Sequence, residues 1–587
     1  MNIIGLSAFF HDSTCCLLQD GKLICAAEEE RFSRRKHDAS LPWRAFTYCL
    51  DQARLTLADI DAVAYYEQPQ LKLERQLWMG LQPNAGRLIK DQVRAHLDPG
   101  RVEASIRQGL GYRGALEFVT HHQAHAASSY FFSGFTDAAL MTVDAVGEWA
   151  TTTYGQASDK TLDLFEEVHF PHSIGMFYSA LTAYLGFEVN SGEYKVMGLA
   201  PYGQPRYADK LRTLIEPGKG GQFRLNLTYF DFLEGGGMFS GRLADLLGRP
   251  PRAKESEIES FHQDVARSLQ VVLEEFLLTQ ARWLRTRVSS NNLCLAGGVA
   301  LNCVANGRLR REGPFEHIFI QPAAGDSGGA LGAAALAQIR LTDKRPSWEP
   351  LQHVYLGPGF DSSQVRRLLT AAGVQALSFE HNESGLMAAT VDRLMDGKVI
   401  GWFQGRMELG PRALGARSIL ADPRRSDMRQ RINDLVKKRE AFRPFAPAVL
   451  ADHAAKHFEL NGSSPFMLET CAVRSSLDLP AITHVDRSAR VQTVHRDTHA
   501  RFYTLIEAFH HRTGCPMLLN TSFNMRGEPM VCTPADAVRC FVRSSIDVLV
   551  LEDFILDRGT IPALWKLIAE ADPLSESAIS HEVYTLF

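Results

Sequence analysis

The feature that most constrains the fold is an approximate repeat of one strand–turn–strand unit. The chain opens with the apolar run NIIGLSAFF, the polar turn HDS, the run TCCLLQ, a DG turn at 20–21 and the run KLICAAEEE. A DG dipeptide between apolar runs is a strong hairpin signal. A second copy of this unit lies at 137–156, where an apolar strand leads into the acidic, glycine-containing turn DAVGE and a Thr-rich strand. The pattern predicts two copies of one supersecondary unit.

The remaining elements alternate between strands and helices, which indicates the α/β class. We expect a helix over 44–58, a short strand over 61–66 and a long amphipathic helix over 256–288. The segment 292–309 predicts a buried strand, a Gly-Gly turn and a helix. The segment 317–337 predicts another strand, a loop with Asp326 and a helix of small residues.

The length of 587 residues exceeds one ordinary core, so two or more domains are expected. Composition changes near 340–357, where TDKRPSWEP and YLGPGF resemble a linker. We therefore expect one domain over 1–350 and a second over 351–587.

Charge and hydropathy exclude several classes of partner. The net charge is −4 and the pI about 6.6, which offers no electrostatic case for nucleic acid or an anionic membrane. The sequence contains no run of 18 apolar residues, so it predicts no membrane span. The N-terminus is typical of a strand, not of a signal peptide. Because the ten cysteines are scattered without metal or disulfide spacing, we expect buried thiols in a cytoplasmic protein.

The stretch HHQAHA contains the first candidate site. His121 and His125 are four residues apart, so on a helix both imidazoles project from one face, a recurrent arrangement for metal binding. Asp144 and Asp326 follow predicted strands and are suitable carboxylate ligands. Two imidazoles with carboxylates suit ferrous iron, manganese or zinc. The alternative is a pair of hydrogen-bonded core histidines.

Two glycine-containing motifs offer weaker anion sites. In AGGVALN, Gly297 and Gly298 stand between a strand and a helix, where a phosphate or simple close packing would explain them equally well. In GEYKVMGLAPYG, Lys195 is a candidate phosphate ligand oriented by Glu193, and a surface ion pair is the alternative.

The second region makes a stronger case for an anion. Basic residues lie within forty positions among glycine, proline and phenylalanine: Arg406, Arg412, Arg417, Lys437, Lys438, Arg439 and Arg443. Arginine forks bidentately onto phosphate or carboxylate. A second stretch, LNTSFNMRGEP, adds the short donors Asn520, Thr521, Ser522, Asn524 and Arg526. The alternative is a set of charges on solvated faces.

Taken together, the motifs resemble the O-carbamoyltransferase family, which includes nodulation-factor, cephamycin, tobramycin and ansamycin carbamoyltransferases. The resemblance rests on eight ordered motifs along nearly the whole chain: FHDS, EEERFSRRKHD, HHQAHA, EYKVMGLAPYG, GGVALN, GDSGGALGAA, GPRALGARSIL and NTSFN. It implies a large actin/sugar-kinase-like (ASKHA) domain, like that of the threonylcarbamoyl transferase, and a smaller α/β YrdC-like domain. The smaller domain would convert carbamoyl phosphate and ATP, with Mg²⁺, to carbamoyl-AMP. The larger would transfer the carbamoyl group to a hydroxyl of a small-molecule acceptor.

The resemblance also implies a role for individual residues. His121, His125, Asp144 and Asp326 match metal ligands for Fe(II) or another divalent metal. His11 matches the general base for the acceptor hydroxyl and Lys36 a lysine that offsets developing negative charge. Nucleotide-binding positions are Lys195, Gly297, Gly298, Asn302 and Asn306. Positions for carbamoyl phosphate and its adenylate are Arg412, Lys437, Arg443, Arg490, Asn520, Ser522 and Arg526.

Three rival functions share parts of this pattern. A tRNA-modifying threonylcarbamoyl enzyme would share the HxxxH pair, a sugar kinase would need only the large domain, and a non-enzymatic nucleotide sensor would need no carbamoyl-phosphate pocket. The acidic pI and the basic second region favour the carbamoyltransferase. The residues are compatible with a homodimer.

Overall fold

The computed structural model describes residues 1–82, 98–233, 237–346, 349–437, 440, 442–562 and 565, without the side chain of residue 437. The chain divides into two compact units. Among the described residues, the first comprises Met1–Glu29 and His37–Leu351, and the second comprises Glu30–Lys36 and the residues from Gln352 to Trp565. A short segment near the N-terminus therefore belongs with the second unit, which the linear boundary expected near residue 350 did not include.

The first unit contains a five-stranded sheet in the order β3-β2-β1-β4-β5. Its strands are β1 Asn2–Ser7, β2 Thr14–Gln19, β3 Lys22–Glu28, β4 Ala62–Tyr65 and β5 Ala115–Phe118. The first three are antiparallel, and β4 and β5 run parallel to β1. Asp20 and Gly21 both have positive φ, 49° and 80°, the geometry that a tight hairpin demands. The opening hairpins are confirmed.

A second sheet of the first unit repeats this plan, in the order β12-β11-β6-β7-β8. Its strands are β6 Asp137–Val143, β7 Ala150–Ser158, β8 Thr161–His169, β11 Asn292–Ala296 and β12 His317–Ile320. Again three consecutive strands are antiparallel, and the last two join parallel to the first. The internal repeat is confirmed as two sheets of the same topology. A separate two-stranded ribbon is formed by β9 Ile215–Pro217 and β10 Phe223–Leu225.

Helices accompany both sheets of the first unit. They are α1 Glu29–Ser33 (shared with the second unit), α2 Trp43–Ala53, α3 Pro69–Gly80, α4 Arg101–Gly109, α5 His121–Tyr130, α6 Ile174–Tyr184, α7 Glu193–Leu199, α8 Ala208–Arg212, α9 Gly241–Leu247, α10 Ser260–Arg287, α11 Cys303–Glu312 and α12 Asp326–Thr342. The long helix expected over 256–288 is α10. All ten cysteines are buried thiols, as expected.

The second unit is built on an eight-stranded mixed sheet in the order β13-β22-β21-β14-β15-β20-β16-β19. Its strands are β13 Leu377–Ser378, β14 Ile400–Phe403, β15 Arg417–Ala421, β16 Ala446–Leu450, β19 Gln492–Val494, β20 Met517–Ser522, β21 Val548–Leu551 and β22 Phe554–Asp557; β17 Thr470–Ala472 and β18 Ser488–Arg490 form a separate ribbon. The helices are α13 Ser362–Ala371, α14 Glu383–Met395, α15 Met428–Ile432, a π-helix Asn433–Lys437, α16 Ala451–His457, α17 Ala500–Thr513 and α18 Pro534–Arg543.

Register in the eight-stranded sheet brings several loops to one edge. Phe403 at the end of β14 pairs with Arg417 at the start of β15, and the next residue of β15 pairs with Ser522 at the end of β20. Asn520 pairs with Ala446 at the start of β16. The described residues 404–416, 442–445 and 523–531 therefore adjoin the same edge of the sheet.

Among the described residues, no helix combines the length and the apolar composition needed to cross a membrane.

Helix α12 packs closely against α5 because its facing residues are small. A Cβ added at Gly332 would collide with the carbonyl oxygen of Ala124 and lie 2.9 Å from the backbone nitrogen of Ser128. Both are backbone atoms of α5, so neither can move aside as a side chain would.

Gly332→Ala should therefore lower the free energy of unfolding by about 1–3 kcal/mol through overpacking. Thermal unfolding followed by circular dichroism checks this. The control is Gly241→Ala at the exposed start of α9, where an added Cβ meets nothing within 4 Å and no loss is expected. Equal melting temperatures for the two variants would contradict the close-packing argument.

Candidate functional site

The candidate site of the first unit forms where parallel strands end. Strands β6, β11 and β12 are parallel, so the residues that follow them lie at one edge of the second sheet. Asp144 directly follows β6, Gly297 directly follows β11, and Asp326 begins α12 after β12. The first sheet contributes α5, which begins at His121 shortly after β5. Polar groups after the carboxyl ends of strands are a common arrangement for ligand sites in α/β folds.

Four side chains converge at this edge. His121 and His125 lie one turn apart on α5, and both are buried. Their Nε2 atoms are 2.9 Å from each other and 3.1 and 2.9 Å from the same Oδ2 of Asp144. Oδ1 of Asp326 lies 3.7 Å from the Nε2 of His121. One donor atom from each of the four residues lies within 4.8 Å of every other.

This geometry fits a divalent metal. For bonds of about 2.1 Å, neighbouring ligand atoms are about 3.0 Å apart in an octahedron and about 3.4 Å apart in a tetrahedron. The observed spacing falls around these values. The second oxygen of Asp326, Oδ2, is buried and has no hydrogen-bond partner in the part of the chain described. Imidazole with carboxylate is a donor set for iron, manganese or zinc.

The electrostatics of the cluster are also consistent with a bound cation. Burial raises the pKa of Asp326 to about 7, and the negative charge of Asp144 adds to that rise. Burial alone would lower the pKa of His121, but its hydrogen bond to Asp144 and the charge of Asp326 outweigh burial and raise this pKa to about 9. Two carboxylates buried together need compensating positive charge, which protons or a cation can supply.

The third histidine of HHQAHA has a structural role. His122 is buried, and its Nδ1 lies 2.6 Å from the hydroxyl of Thr142. Burial, together with the neighbouring His121 and His125, lowers the pKa of His122 well below its usual value. His122 is therefore a neutral core histidine, whereas the other two face the carboxylates.

The Gly-Gly turn orients one of the carboxylates. Gly297 has φ of 92°, and a Cβ there would collide with the carbonyl oxygen of Val143. The backbone N–H groups of Gly298 and Ala145 donate to Oδ1 of Asp144 at 3.1 and 2.8 Å. The turn thus holds Asp144 so that its Oδ2 faces the histidines. That the glycines also line a nucleotide stays a prediction.

The other predicted nucleotide residues are engaged within the fold. Asn302 caps α11 by accepting from the N–H of Ala305, and its amide pairs with Gln270 at 3.0 Å. Asn306 donates to the carbonyl oxygen of Ala300 at 2.7 Å. Lys195 lies on α7 with its Nζ 5.7 Å from the ring centre of Phe187. Binding of a nucleotide by these three residues stays a prediction.

Glu148 was not selected from the sequence, yet it anchors α5. Its two carboxylate oxygens accept from the backbone N–H of His121 at 2.9 and 3.1 Å, and one also accepts from the N–H of Gln68 at 2.7 Å. A carboxylate at a helix N-terminus satisfies open donors and complements the helix dipole. The signal was the DAVGE turn itself, whose second acidic residue is Glu148.

His11 lies in the equivalent turn of the first copy of the repeat. Its Nδ1 is 2.8 Å from Asp12 and its Nε2 is 3.2 Å from the carbonyl oxygen of Asn190. Both partners can only accept, so both ring nitrogens donate and the ring is an imidazolium. Burial would lower the pKa of His11, but Asp12 outweighs it and raises the pKa to about 9. Asp12 also accepts from Nδ1 of His37 at 3.0 Å.

Lys36 closes the segment Glu30–Lys36 that belongs to the second unit. Within that unit, Arg31 donates to the carbonyl oxygen of Gly410 at 2.9 Å, and Arg34 donates to the carbonyl oxygens of Pro529 and Met530 at 2.9 and 2.5 Å. The segment is thus bound to two of the loops that leave the common sheet edge. A role for Lys36 in transfer stays a prediction.

The predicted anion-binding residues of the second unit collect at that same sheet edge. Asn520 and Ser522 are among the last three residues of strand β20, and the others lie in the adjoining loops or just before β19: Arg412, Arg443, Arg490 and Arg526. Lys437 ends the π-helix, while Lys438 and Arg439 lie outside the described residues. Their joint action on one ligand stays a prediction.

Two arginines of the basic cluster donate hydrogen bonds to main-chain carbonyl oxygens. Arg417 is fully buried, and its guanidinium lies 3.6 Å from the ring centre of Phe403. It donates at 2.9–3.1 Å to the carbonyl oxygens of Pro358, Gln404, Gly405 and Ala416. Arg406 donates to the carbonyl oxygens of Leu356 and Gly357. The expectation that Arg417 forks onto an anionic ligand was wrong, because the side chain is fully buried and both terminal nitrogens donate to main-chain carbonyls.

The metal assignment predicts a stoichiometric ion. Wild type should retain about one divalent metal per chain after dialysis. His121→Ala and Asp326→Asn should lose most of it, because the former removes a donor atom and the latter removes the negative charge of a carboxylate. Metal content by inductively coupled plasma mass spectrometry checks this. His122→Gln is the matched control and should keep the metal, because its ring faces Thr142. Equal metal content in all four proteins would refute the assignment.

Comparison with known proteins adds independent evidence. A family described as "Carbamoyltransferase N-terminus" matches residues 2–335, and one described as "Carbamoyltransferase C-terminus" matches residues 391–558.

Individual relatives agree. An uncharacterized Synechocystis protein is 45% identical over 598 aligned residues, covering 96% of this chain and 97% of that protein. Nodulation protein NolNO of Sinorhizobium fredii is 39% identical over 592, covering 97% and 82%. The 3'-hydroxymethylcephem-O-carbamoyltransferase of Amycolatopsis lactamdurans is 38% identical over 261, covering 44% and 47%. Since the family matches extend through both units, the chain belongs to the carbamoyltransferase family.

Proposed function

We propose that the protein is an ATP-dependent O-carbamoyltransferase that works in two steps. The second unit makes carbamoyl-AMP from carbamoyl phosphate and ATP, and the first unit transfers the carbamoyl group to a hydroxyl of a small-molecule acceptor. The observation that carries the proposal is the presence of two chemically different clusters in one chain. One is a two-histidine, two-aspartate cluster in the first unit, and the other is an arginine-rich sheet edge in the second.

The first step passes through carbamate. Carbamoyl phosphate and water give carbamate and phosphate. A carbamate oxygen then attacks the α-phosphorus of ATP, which enters with Mg²⁺, and pyrophosphate leaves. Arginine and lysine suit this step, because both substrates are polyanions and their charge must be offset where they meet. Arg412, Lys437, Arg443 and Arg490 are proposed for the carbamoyl phosphate, and Asn520, Ser522 and Arg526 for it and the adenylate.

The second step joins the acceptor oxygen to the carbamoyl carbon and releases AMP. A divalent metal held by His121, His125, Asp144 and Asp326, which we propose to be Fe(II), would act as a Lewis acid that stabilises negative charge on the carbonyl oxygen. His11 is the proposed general base. Because both of its ring nitrogens donate in this structure, His11 must first release a proton before it can accept one from the acceptor hydroxyl.

We propose a different fold family for each of the two units. Two five-stranded sheets of identical strand order support an actin/sugar-kinase type of fold for the first unit. The mixed eight-stranded sheet with its cationic edge supports a YrdC-like second unit. A nucleotide would contact Lys195 and the turn at Gly297 and Gly298, with Asn302 and Asn306 bracing that turn.

The acceptor is proposed to be a small molecule with a free hydroxyl, not a nucleic acid or a membrane component. The net charge of −4 gives no general attraction to a polyanion. The relatives bear names from nodulation and from cephem modification. A glycan or a natural product is therefore the class of acceptor to screen first. The proposed site of action is the cytoplasm, and a homodimer remains compatible with the chain.

The decisive test measures pyrophosphate release from ATP without any acceptor. Wild type should release pyrophosphate only when carbamoyl phosphate is present. Arg443→Ala should reduce this release by about tenfold to a hundredfold, because a charge-assisted hydrogen bond to the anion is lost. A coupled pyrophosphate assay with chromatographic separation of AMP, ADP and ATP supplies both measurements.

The matched control is Arg425→Ala. Arg425 forms its ion pair with Asp427, four residues beyond the end of β15, at the sheet edge opposite the cluster. This variant should release pyrophosphate at the wild-type rate. Release of ADP without pyrophosphate would instead favour a sugar-kinase activity and overturn the two-step scheme.

A further inference from the structure

We propose that Gln492 is the positioning residue that makes the second unit select a carbamoyl group over other acyl groups. It does so by fixing the amide of Asn520 so that its oxygen, Oδ1, accepts an N–H of the carbamoyl NH₂. This inference rests on the proposed binding of carbamoyl phosphate at the sheet edge. It adds the atom that recognises the carbamoyl NH₂, which is Oδ1 of Asn520, and the residue that orients this atom, which is Gln492.

The two amides meet on one face of the sheet. Asn520 on β20 pairs with Ala446 of β16, and Gln492 on β19 pairs with Ala448 of the same strand. Directly paired residues and residues two apart point to the same face. The two alanines between them are short, which leaves room for the longer amides to touch above β16. Both amides are buried, with 1% and 2% of their surface exposed.

The chemistry of their partners determines how each amide is turned. Gln492 faces the carbonyl oxygen of Leu414 at 2.7 Å, and Asn520 faces that of Ala413 at 3.1 Å. A carbonyl oxygen only accepts, so the group facing it must be the NH₂ in both cases. The oxygen of Gln492, Oε1, is then left to accept from the NH₂ of Asn520, at 2.9 Å.

Both amide hydrogens of Asn520 are thus used, one on Ala413 and one on Gln492. Its oxygen is buried, and no donor meets it within the described part of the chain. A buried oxygen without a donor is unfavourable. At neutral pH, phosphate oxygens mainly accept, so they do not satisfy it. The NH₂ of a carbamoyl group donates, and the methyl group of an acetyl analogue of the same shape does not.

The loop that carries the two carbonyls is itself held in place. Oε1 of Glu408 accepts from the backbone N–H groups of Leu414, Ala416 and Arg417 at 2.7, 2.8 and 3.3 Å. Glu408 is buried, so its carboxylate acts as a fixed brace for residues 414–417. Because the anchoring carbonyls cannot drift, Gln492 and Asn520 have one satisfied arrangement, and that arrangement leaves Oδ1 of Asn520 for the ligand.

The experiment compares two stable phosphonates by isothermal titration calorimetry. Phosphonoacetamide carries the NH₂, and phosphonoacetone has a methyl group in its place. Wild type should bind the amide about tenfold more tightly, the value of one good hydrogen bond to a buried acceptor. In Asn520→Ala and in Gln492→Met the ratio should fall to about one, since the former removes the oxygen and the latter releases it to rotate.

The control is Gln404→Met. Gln404 is a buried glutamine of the same unit whose amide donates to the carbonyl oxygen of Glu552 at 3.0 Å and accepts from Arg501 at 2.9 Å, so its hydrogen bonds do not orient Asn520. This variant should keep the tenfold ratio even if it lowers the melting temperature. In steady-state pyrophosphate release, Gln492→Met should raise KM for carbamoyl phosphate by about tenfold and leave kcat near its wild-type value.

The outcomes are distinguishable. If wild type binds neither phosphonate and releases no pyrophosphate with carbamoyl phosphate, the proposed function fails. If wild type prefers the amide but Gln492→Met retains that preference, or weakens both ligands equally, Gln492 is merely structural and the inference is overturned. If Gln492→Met does not fold, Asn520→Ala alone tests the inference. An unchanged ratio of the two phosphonate affinities in Asn520→Ala would show that Oδ1 does not recognise the NH₂, and the inference would be overturned.

Discussion

The close packing of α12 against α5 is the constraint on which the first unit depends. Because Gly332 lets α12 approach the backbone of Ala124, the N-terminal residue Asp326 lies beside the imidazoles that α5 presents. A larger residue at this contact would separate the helices and pull a carboxylate away from the two histidines. The run of small residues in α12 is therefore as necessary to the cluster as its four histidine and aspartate side chains.

Duplication explains how the remaining groups arrive at the same place. Each copy of the repeat has a turn between its first two strands, and the two turns contribute different chemistry. One contains His11 and Asp12, and the other contains Asp144 and Glu148. The parallel strands β11 and β12 then add the Gly-Gly turn and Asp326 at the same edge of the second sheet. The two copies thus share one plan and have diverged in their turns.

In the second unit, buried polar groups set the shape of the loops. Arg417 donates to four main-chain carbonyls, and Glu408 accepts from three main-chain N–H groups. A buried charge is costly unless it is paired or hydrogen-bonded, so both side chains enforce one loop conformation. Carbonyl oxygens of this loop then orient Gln492 and Asn520. In the proposed function, recognition of the carbamoyl group at the sheet edge depends on these buried bonds more than on the positive charges.

By itself, the sequence determined the repeat, the long helix α10, the HxxxH pair and the two aspartates, because hydrophobic period, turn residues and ligand chemistry are local properties. Only the tertiary structure decided what each polar side chain does. Arg417 and Arg406 looked like anion ligands, yet they donate to main-chain carbonyls. Glu148 stood in the DAVGE turn without a predicted role, and Gln492 carried no pattern that singled it out. The reason is that strand register and helix packing bring together residues far apart in sequence, and burial then decides whether a charge or an amide meets backbone or ligand.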